Sequence, residues 1–175
     1  MEKKKIAVLI ADGYEKSEFE KPIKALKKEG AEVEVISLKK GSVKGWEKGN
    51  WSGKTKAGKA VKNVQAKDYD GLVLPGGVMN PDKLRRDKNV LKFVMSFYKL
   101  NKPIAAICHG PWTLAEAGVL KGMTLTSFPS IKTDLINAGA KWKNKKVITD
   151  KWLTTSRNPK DLPAFCKQII KEFLR

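Results

Sequence analysis

Cysteine, histidine and arginine are scarce in this 175-residue chain, which carries two cysteines and one histidine. Two cysteines do not build a disulfide framework. With a single histidine, and with Cys108 and Cys166 far apart in sequence, a zinc site is also excluded. Neither a metal nor a cofactor is expected. Long apolar runs are missing too. None approaches the ~20 residues that span a bilayer. Ile6 to Ala11 is short, and no small-residue cleavage pattern follows it. No membrane span and no secretory signal are expected, and the reading is a cytoplasmic protein.

Acidic residues are also outnumbered: 36 lysines and arginines face 18 aspartates and glutamates, a net charge of +18. Arginine stands only at Arg85, Arg86, Arg157 and Arg175. Specific phosphate and base recognition leans on arginine's planar fork, whereas lysine is a strongly hydrated point charge. The lysines are scattered, from Lys3-Lys4-Lys5 through Lys27-Lys28 and Lys39-Lys40 to Lys145-Lys146. This pattern reads as a solvated surface, with weak, nonspecific, salt-sensitive nucleic-acid binding as the alternative.

What is present is alternation of strand and helix patterns. Lys5 to Ala11 is a continuous apolar run, the signature of a strand buried on both faces of a parallel sheet. Ser17 and Glu20 have capping-box spacing, with Pro22 drawing the regular helix start towards itself. Phe19, Ile23 and Leu26 form a helical stripe that Gly30 ends. Further strands are expected at Val33–Ile36, Leu72–Leu74, Pro103–Ile107, Thr124–Thr126 and Val147–Thr149, and helices over Val90–Leu100, Gly110–Ala117 and Leu162–Leu174. Residues 39–63 read as short strands or a hairpin at the sheet edge, with Trp46 and Trp51 as packing anchors. The expectation is an α/β, flavodoxin-like three-layer sandwich, mostly parallel, with helices on both faces. Without repeat or linker, residues 1–175 read as one domain.

Ligands of open parallel sheets bind beyond the carboxyl ends of the strands. Three segments fall there: Asp12 to Glu18, Pro75-Gly76-Gly77, and Cys108-His109-Gly110. Ala106-Ile107-Cys108-His109-Gly110 has the small-x-nucleophile-x-small layout of a nucleophile elbow, with cysteine in place of serine. At a helix N-terminus the dipole and free N–H groups favour the thiolate. The amide of His109 and that of Gly77 form a candidate oxyanion hole. A buried, inert cysteine is the plain alternative for Cys108, and packing is the reading for Cys166. The proton carrier is His109 or a perturbed carboxylate. Adjacency on a turn does not by itself pair His109 with the thiol. Glu18 reads either as an exposed glutamate at a helix start or as a buried acid kept protonated.

Leu74-Pro75-Gly76-Gly77, Ala105 to Trp112, Ser127 to Leu135 and Asn137-Ala138-Gly139-Ala140 together resemble the PfpI-type intracellular protease/amidase family, within the class I glutamine-amidotransferase-like folds. The likeness runs over about residues 4–174. It implies that Cys108 is the nucleophile, that Glu18 contacts its sulfur, and that Gly77 and His109 supply the oxyanion hole. In the protease branch an acid shortly after Pro-Gly-Gly orients the histidine of a neighbouring subunit. The match here is Asp82, where that branch has glutamate. The resemblance further implies a homo-oligomer, dimer or hexamer. It implies a cysteine-dependent hydrolase or lyase with a stress-protective role, acting on small aldehydes, glycated adducts or peptides. The alternative is a non-catalytic redox sensor or chaperone whose Cys108 oxidises.

Overall fold

The computed structural model describes residues 2–175. The strands are β1 (Lys5–Leu9), β2 (Tyr14–Glu15), β3 (Glu32–Ser37), β4 (Gly41–Glu47), β5 (Asn50–Ala57), β6 (Lys59–Ala60), β7 (Gly71–Leu74), β8 (Ile104–Ile107), β9 (Thr124–Leu125), β10 (Lys141–Trp142), β11 (Val147–Asp150) and β12 (Leu153–Ser156). The helices are α1 (Lys16–Lys28), α2 (Met79–Leu84), α3 (Lys88–Lys99), α4 (Pro111–Ala117), α5 (Lys132–Asn137) and α6 (Leu162–Phe173).

Seven strands form the central sheet in the order β11-β12-β8-β7-β1-β3-β6. All its neighbours are parallel except β11 and β12. Side chains on a strand alternate between faces, and β1 divides accordingly. Ile6 and Val8 join the core against Phe19 and Leu26 of α1 and Phe165 and Ile169 of α6. Ala7 and Leu9 join the core on the opposite face, against Leu84 of α2, Phe93 and Phe97 of α3 and Leu114 of α4. The result is the expected flavodoxin-like sandwich of three layers.

Several local expectations are corrected. α1 starts at Lys16, and its N-cap, Glu15, makes no side-chain cap bond, so the Ser17–Glu20 capping box does not form. Pro22 lies inside α1. Having no N–H, it withdraws the helical bond to the Glu18 carbonyl, yet the helix continues through it, with Pro22 buried. Within residues 39–63 the expected hairpin forms as β4-β5, but with β2 it makes a separate three-stranded sheet, and only β6 reaches the main sheet. Trp46 and Trp51 meet edge to face at 5.2 Å, with Trp51 54% exposed, so this pair clasps the hairpin without entering the core. β9 pairs with β10 outside the central sheet.

One buried polar side chain ties the loops at the carboxyl end of the sheet together. Asn80 has no exposed surface. Its Oδ1 accepts from the Ala11 amide at 2.7 Å, and its Nδ2 donates to the Pro75 and Gly76 carbonyls, both at 3.0 Å. The loops leaving β1 and β7 are thereby locked to each other. Asn80→Ala leaves these buried groups unpaired and is expected to cost about 2–3 kcal/mol, read from urea unfolding. A loss near zero would show that the loops hold without it.

Candidate active site

The chain leaves β8 at Ile107 and enters α4 at Pro111 with almost no loop between. Cys108 turns this corner with φ +62°, a left-handed conformation uncommon outside glycine. The turn is held by the Cys108 amide donating to the Ser156 carbonyl at 3.0 Å and by the Phe128 amide donating to the Cys108 carbonyl at 2.9 Å. Such a corner requires small neighbours. A Cβ on Gly110 would lie 2.5 Å from the Leu74 carbonyl oxygen. A Cβ on Gly76 would lie 2.5 Å from Glu18 Oε1 and 2.7 Å from Cys108 Cβ. Gly77, at φ +82°, is packed against the Gly13 carbonyl. Glycine therefore lets three strand ends converge on one sulfur.

The structure brings Cys108, His109, Glu18 and Gly77 together. The backbone amides of Gly77 and His109 lie beside the Cys108 sulfur and favour its ionised form. His109 Nδ1 lies 3.1 Å from Sγ. Glu18 is fully buried, and its Oε1 accepts from the Gly76 amide at 3.0 Å. Its Oε2 has no partner of full hydrogen-bond geometry among the described residues. The carboxyl and the thiol nonetheless interact directly, each shifting the other's titration.

Asp82 lies elsewhere. It is exposed on α2, with its carboxylate 3.9 Å from Arg86, and it makes no hydrogen bond with His109 within the chain. Cys166 is half-buried in α6, apart from this cluster. A cleft of about 620 Å³ between residues 61–67 and α3 does not include Cys108. Its size alone does not make it the reactive site, because it lacks both nucleophile and acid.

Electrostatics correct the expected thiolate. Cys108 is only 7% exposed, and burial pushes its thiol well above the ordinary thiol range, with the Glu18 charge adding to the rise. The two amides on sulfur pull the other way and do not prevail. Burial, and then Glu15, push Glu18 up to about 8, against the opposing Gly76 amide and the thiol. Two buried acids in contact titrate as one unit, so at neutral pH the resting pair is a thiol beside a carboxylic acid. Burial lowers the pKa of His109, which keeps the imidazole neutral and available as a base.

The sequence reading missed the setting of that imidazole. His109 stacks on Phe128 at 4.9 Å and meets Trp112 edge-on at 5.2 Å. Its Nε2 lies 3.1 Å from Ser130 Oγ. Trp112 is oriented in turn by Asp134, which accepts from its indole N–H at 2.8 Å. These partners are 21 and 22 residues apart, respectively, so no local pattern could have announced them.

Fold and site together define an α/β protein that presents a thiol on a nucleophile elbow with a buried carboxyl beside it. Comparison with known proteins gives the family: residues 4–172 match the DJ-1/PfpI family, and the chain belongs to it. It is 42% identical over 167 residues to "Putative cysteine protease YraA" of Bacillus subtilis (strain 168), covering 95% of this chain and 96% of that one. It is 41% identical over 169 residues to "Protein/nucleic acid deglycase 2" of Escherichia coli (strain K12), covering 96% of each. Among solved structures, a two-domain protein of Anabaena variabilis with DJ-1/ThiJ/PfpI-like and ferritin-like domains superposes with a TM-score of 0.91 at 38% identity. That match covers 97% of this chain and 48% of the Anabaena chain, so this chain spans about half of it.

The buried acid has a measurable signature. Between its ordinary 4.5 and about 8, Glu18 holds a proton in the folded state that it has lost in the unfolded state. Its contribution to stability is complete below 4.5 and declines as pH climbs towards 8, at up to about 1.4 kcal/mol per pH unit. Urea midpoints of wild type and Glu18→Gln, compared between pH 5 and pH 8, should show this decline in the wild type and not in the variant. Parallel pH dependences would mean that Glu18 is not buried as an acid.

Proposed function

We propose that this chain is a cysteine-dependent enzyme of the cytoplasm that converts small α-oxoaldehydes or opens their adducts on amines. The observation that carries the reading is the shared position of Cys108 Sγ, two amide donors, a protonated carboxyl and a neutral imidazole. The name of the Escherichia coli relative supports carbonyl-adduct chemistry, and that of the Bacillus relative supports a cysteine nucleophile. Both cysteines are free thiols, which suits a reducing compartment.

The reaction runs as follows for an α-oxoaldehyde. His109 Nδ1 takes the thiol proton, and Sγ bonds to the aldehyde carbon. The carbonyl electron pair moves to oxygen, which is held by the amides of Gly77 and His109 and takes the Glu18 proton. The new Glu18 carboxylate removes the hydrogen on the sulfur-bearing carbon and returns it to the neighbouring carbon, while the hydroxyl proton on the sulfur-bearing carbon passes to the former ketone oxygen, so that the first oxygen becomes a carbonyl and the ketone an alcohol. The product of these shifts is a thioester. Water then splits it: the water oxygen ends on the acyl carbon of a 2-hydroxy acid, the water proton restores Glu18, and the proton held by His109 returns to the sulfur, so the net change is addition of one water.

Activity on methylglyoxal should be clear in the wild type and should fall to the uncatalysed background in Cys108→Ala. Equal rates in both would remove Cys108 from the chemistry. Background rates in both would remove the aldehyde reading, and selective peroxide oxidation of Cys108 over Cys166 would then favour a redox sensor. The pH–rate profile should be bell-shaped. Its acid limb should lie below histidine's ordinary 6.5, because His109 must be neutral, and its alkaline limb near about 8, where Glu18 loses its proton.

A further inference from the structure

The crossover from β6 to β7 runs over the face of the sheet that α3 covers, and it is built without an α-helix. Parallel strands are usually joined through a helix, which would fill the space beside α3. Here the chain crosses in two 3-10 turns, Val61–Asn63 and Ala66–Asp68. Lys102 pins the second turn by donating to the Ala66, Lys67 and Tyr69 carbonyls. So thin a crossover leaves a groove of about 620 Å³ along α3. The α3 wall of the groove is one helical stripe: Asn89, Lys92, Phe93, Ser96, Lys99 and Leu100. From Asn89 to Leu100 that stripe rises about 16 Å.

Floor and rim differ in character. Val61 is 3%, Ala66 3% and Phe93 4% exposed, and all three belong to the core, so the floor is apolar. The rim carries four exposed lysines, Lys62 and Lys67 on the crossover and Lys92 and Lys99 on α3. None of the four forms an ion pair among the described residues, and no carboxylate lines the groove. An apolar floor beneath a positive rim complements an apolar body with an anionic head. Size and sign narrow the occupant further. A helix is about 10–12 Å across, too thick to sink into this volume. A second copy of the chain carries the same +18 and is repelled. A small polar anion such as a 2-hydroxy acid would leave the floor uncovered. We propose that the groove binds a linear medium-chain fatty acid as its carboxylate. The chain lies along α3 over Val61, Ala66 and Phe93, and the carboxylate sits among the lysines of the rim. The groove does not include Cys108, and the inference does not depend on the reaction proposed there.

The experiment titrates the full chain with octanoate, decanoate and dodecanoate by calorimetry, each below its micelle-forming concentration. Decanol and decyltrimethylammonium serve as neutral and cationic probes. One acyl anion should bind per chain, with a negative heat-capacity change. Affinity should rise with chain length, by up to about fourfold for each methylene that becomes fully buried. Added salt should weaken decanoate and leave decanol unchanged. Lys92→Glu with Lys99→Glu should weaken decanoate by about tenfold or more. Ser96→Phe, which fills the groove from the α3 side, should weaken all three acids. Lys145→Glu with Lys146→Glu makes the same change of charge beside β11, at the opposite margin of the sheet from β6, and should bind decanoate like wild type.

An equal loss in the Lys145/Lys146 variant would reduce the effect to general attraction by a cationic surface and overturn the site. So would decanol or decyltrimethylammonium binding as tightly as decanoate, several anions per chain, or no saturable binding. Light scattering on the same samples addresses the other occupant. An oligomer that Ser96→Phe takes apart would make the groove an interface between copies, and the acyl site would fall. If Ser96→Phe does not fold, the exposed Lys92 and Lys99 still decide the matter. None of these readouts needs turnover, so they stand whether or not Cys108 acts on aldehydes.

Discussion

The site depends on a single backbone constraint: a sharp corner at a residue that is not glycine. Cys108 holds φ at +62° because its amide and carbonyl are both claimed by neighbouring backbone, from Ser156 and Phe128. Left-handed backbone costs a non-glycine residue of order 1–3 kcal/mol and persists only where its surroundings over-determine it. Here the surroundings are three strand ends brought within contact by Gly76, Gly77 and Gly110. A side chain at any of them would push the sheet apart at the point where the sulfur sits. Reactivity and fold are thus written into the same few atoms.

The charge arrangement follows from that crowding. Water is largely excluded from Sγ and wholly from the Glu18 carboxyl. Neither acid can ionise cheaply, and each makes the other's ionisation harder. The resting site is therefore neutral, in a protein whose net charge is +18. A charge appears only when a proton is moved, and the groups able to move it are arranged in contact. The site is thus built to shift protons among preplaced partners rather than to store a thiolate.

The sheet, its two helical layers and the elbow were legible because they depend on short patterns. Apolar runs mark β1, β7 and β8, and Phe19, Leu26, Phe165 and Ile169 repeat at helical spacing. β12 was not legible. Its Leu-Thr-Thr-Ser carries three buried hydroxyl residues, two of which find partners only through the fold: Thr154 with Thr149 and Thr155 with the Thr126 amide. The six-residue helices α2 and α5 lack the length for a periodic signal. Ser17 looked like a cap because cap residues have a recognisable type, but the bend at Tyr14–Glu15, pinned by the Gly76 carbonyl, starts the helix earlier. In the site, the sharp corner at Cys108 was readable from its neighbours in sequence. Its electrostatic state was not, since burial is a property of the assembled fold. Ser130 and Asn80 act across loops and left no local mark.

The two margins of the central sheet also have a consequence. One margin is β6, two residues long, and the other is β11, four residues long and turned antiparallel to the rest. Lysines 145, 146 and 151 bracket β11, and Lys59 occupies β6. Brief, cationic borders give a foreign strand little backbone to zip onto, and like-charged molecules resist approach at that rim. A fold so rich in apolar strand thereby guards itself against growing into stacked aggregates, even though its interior segments are of the kind that would form them.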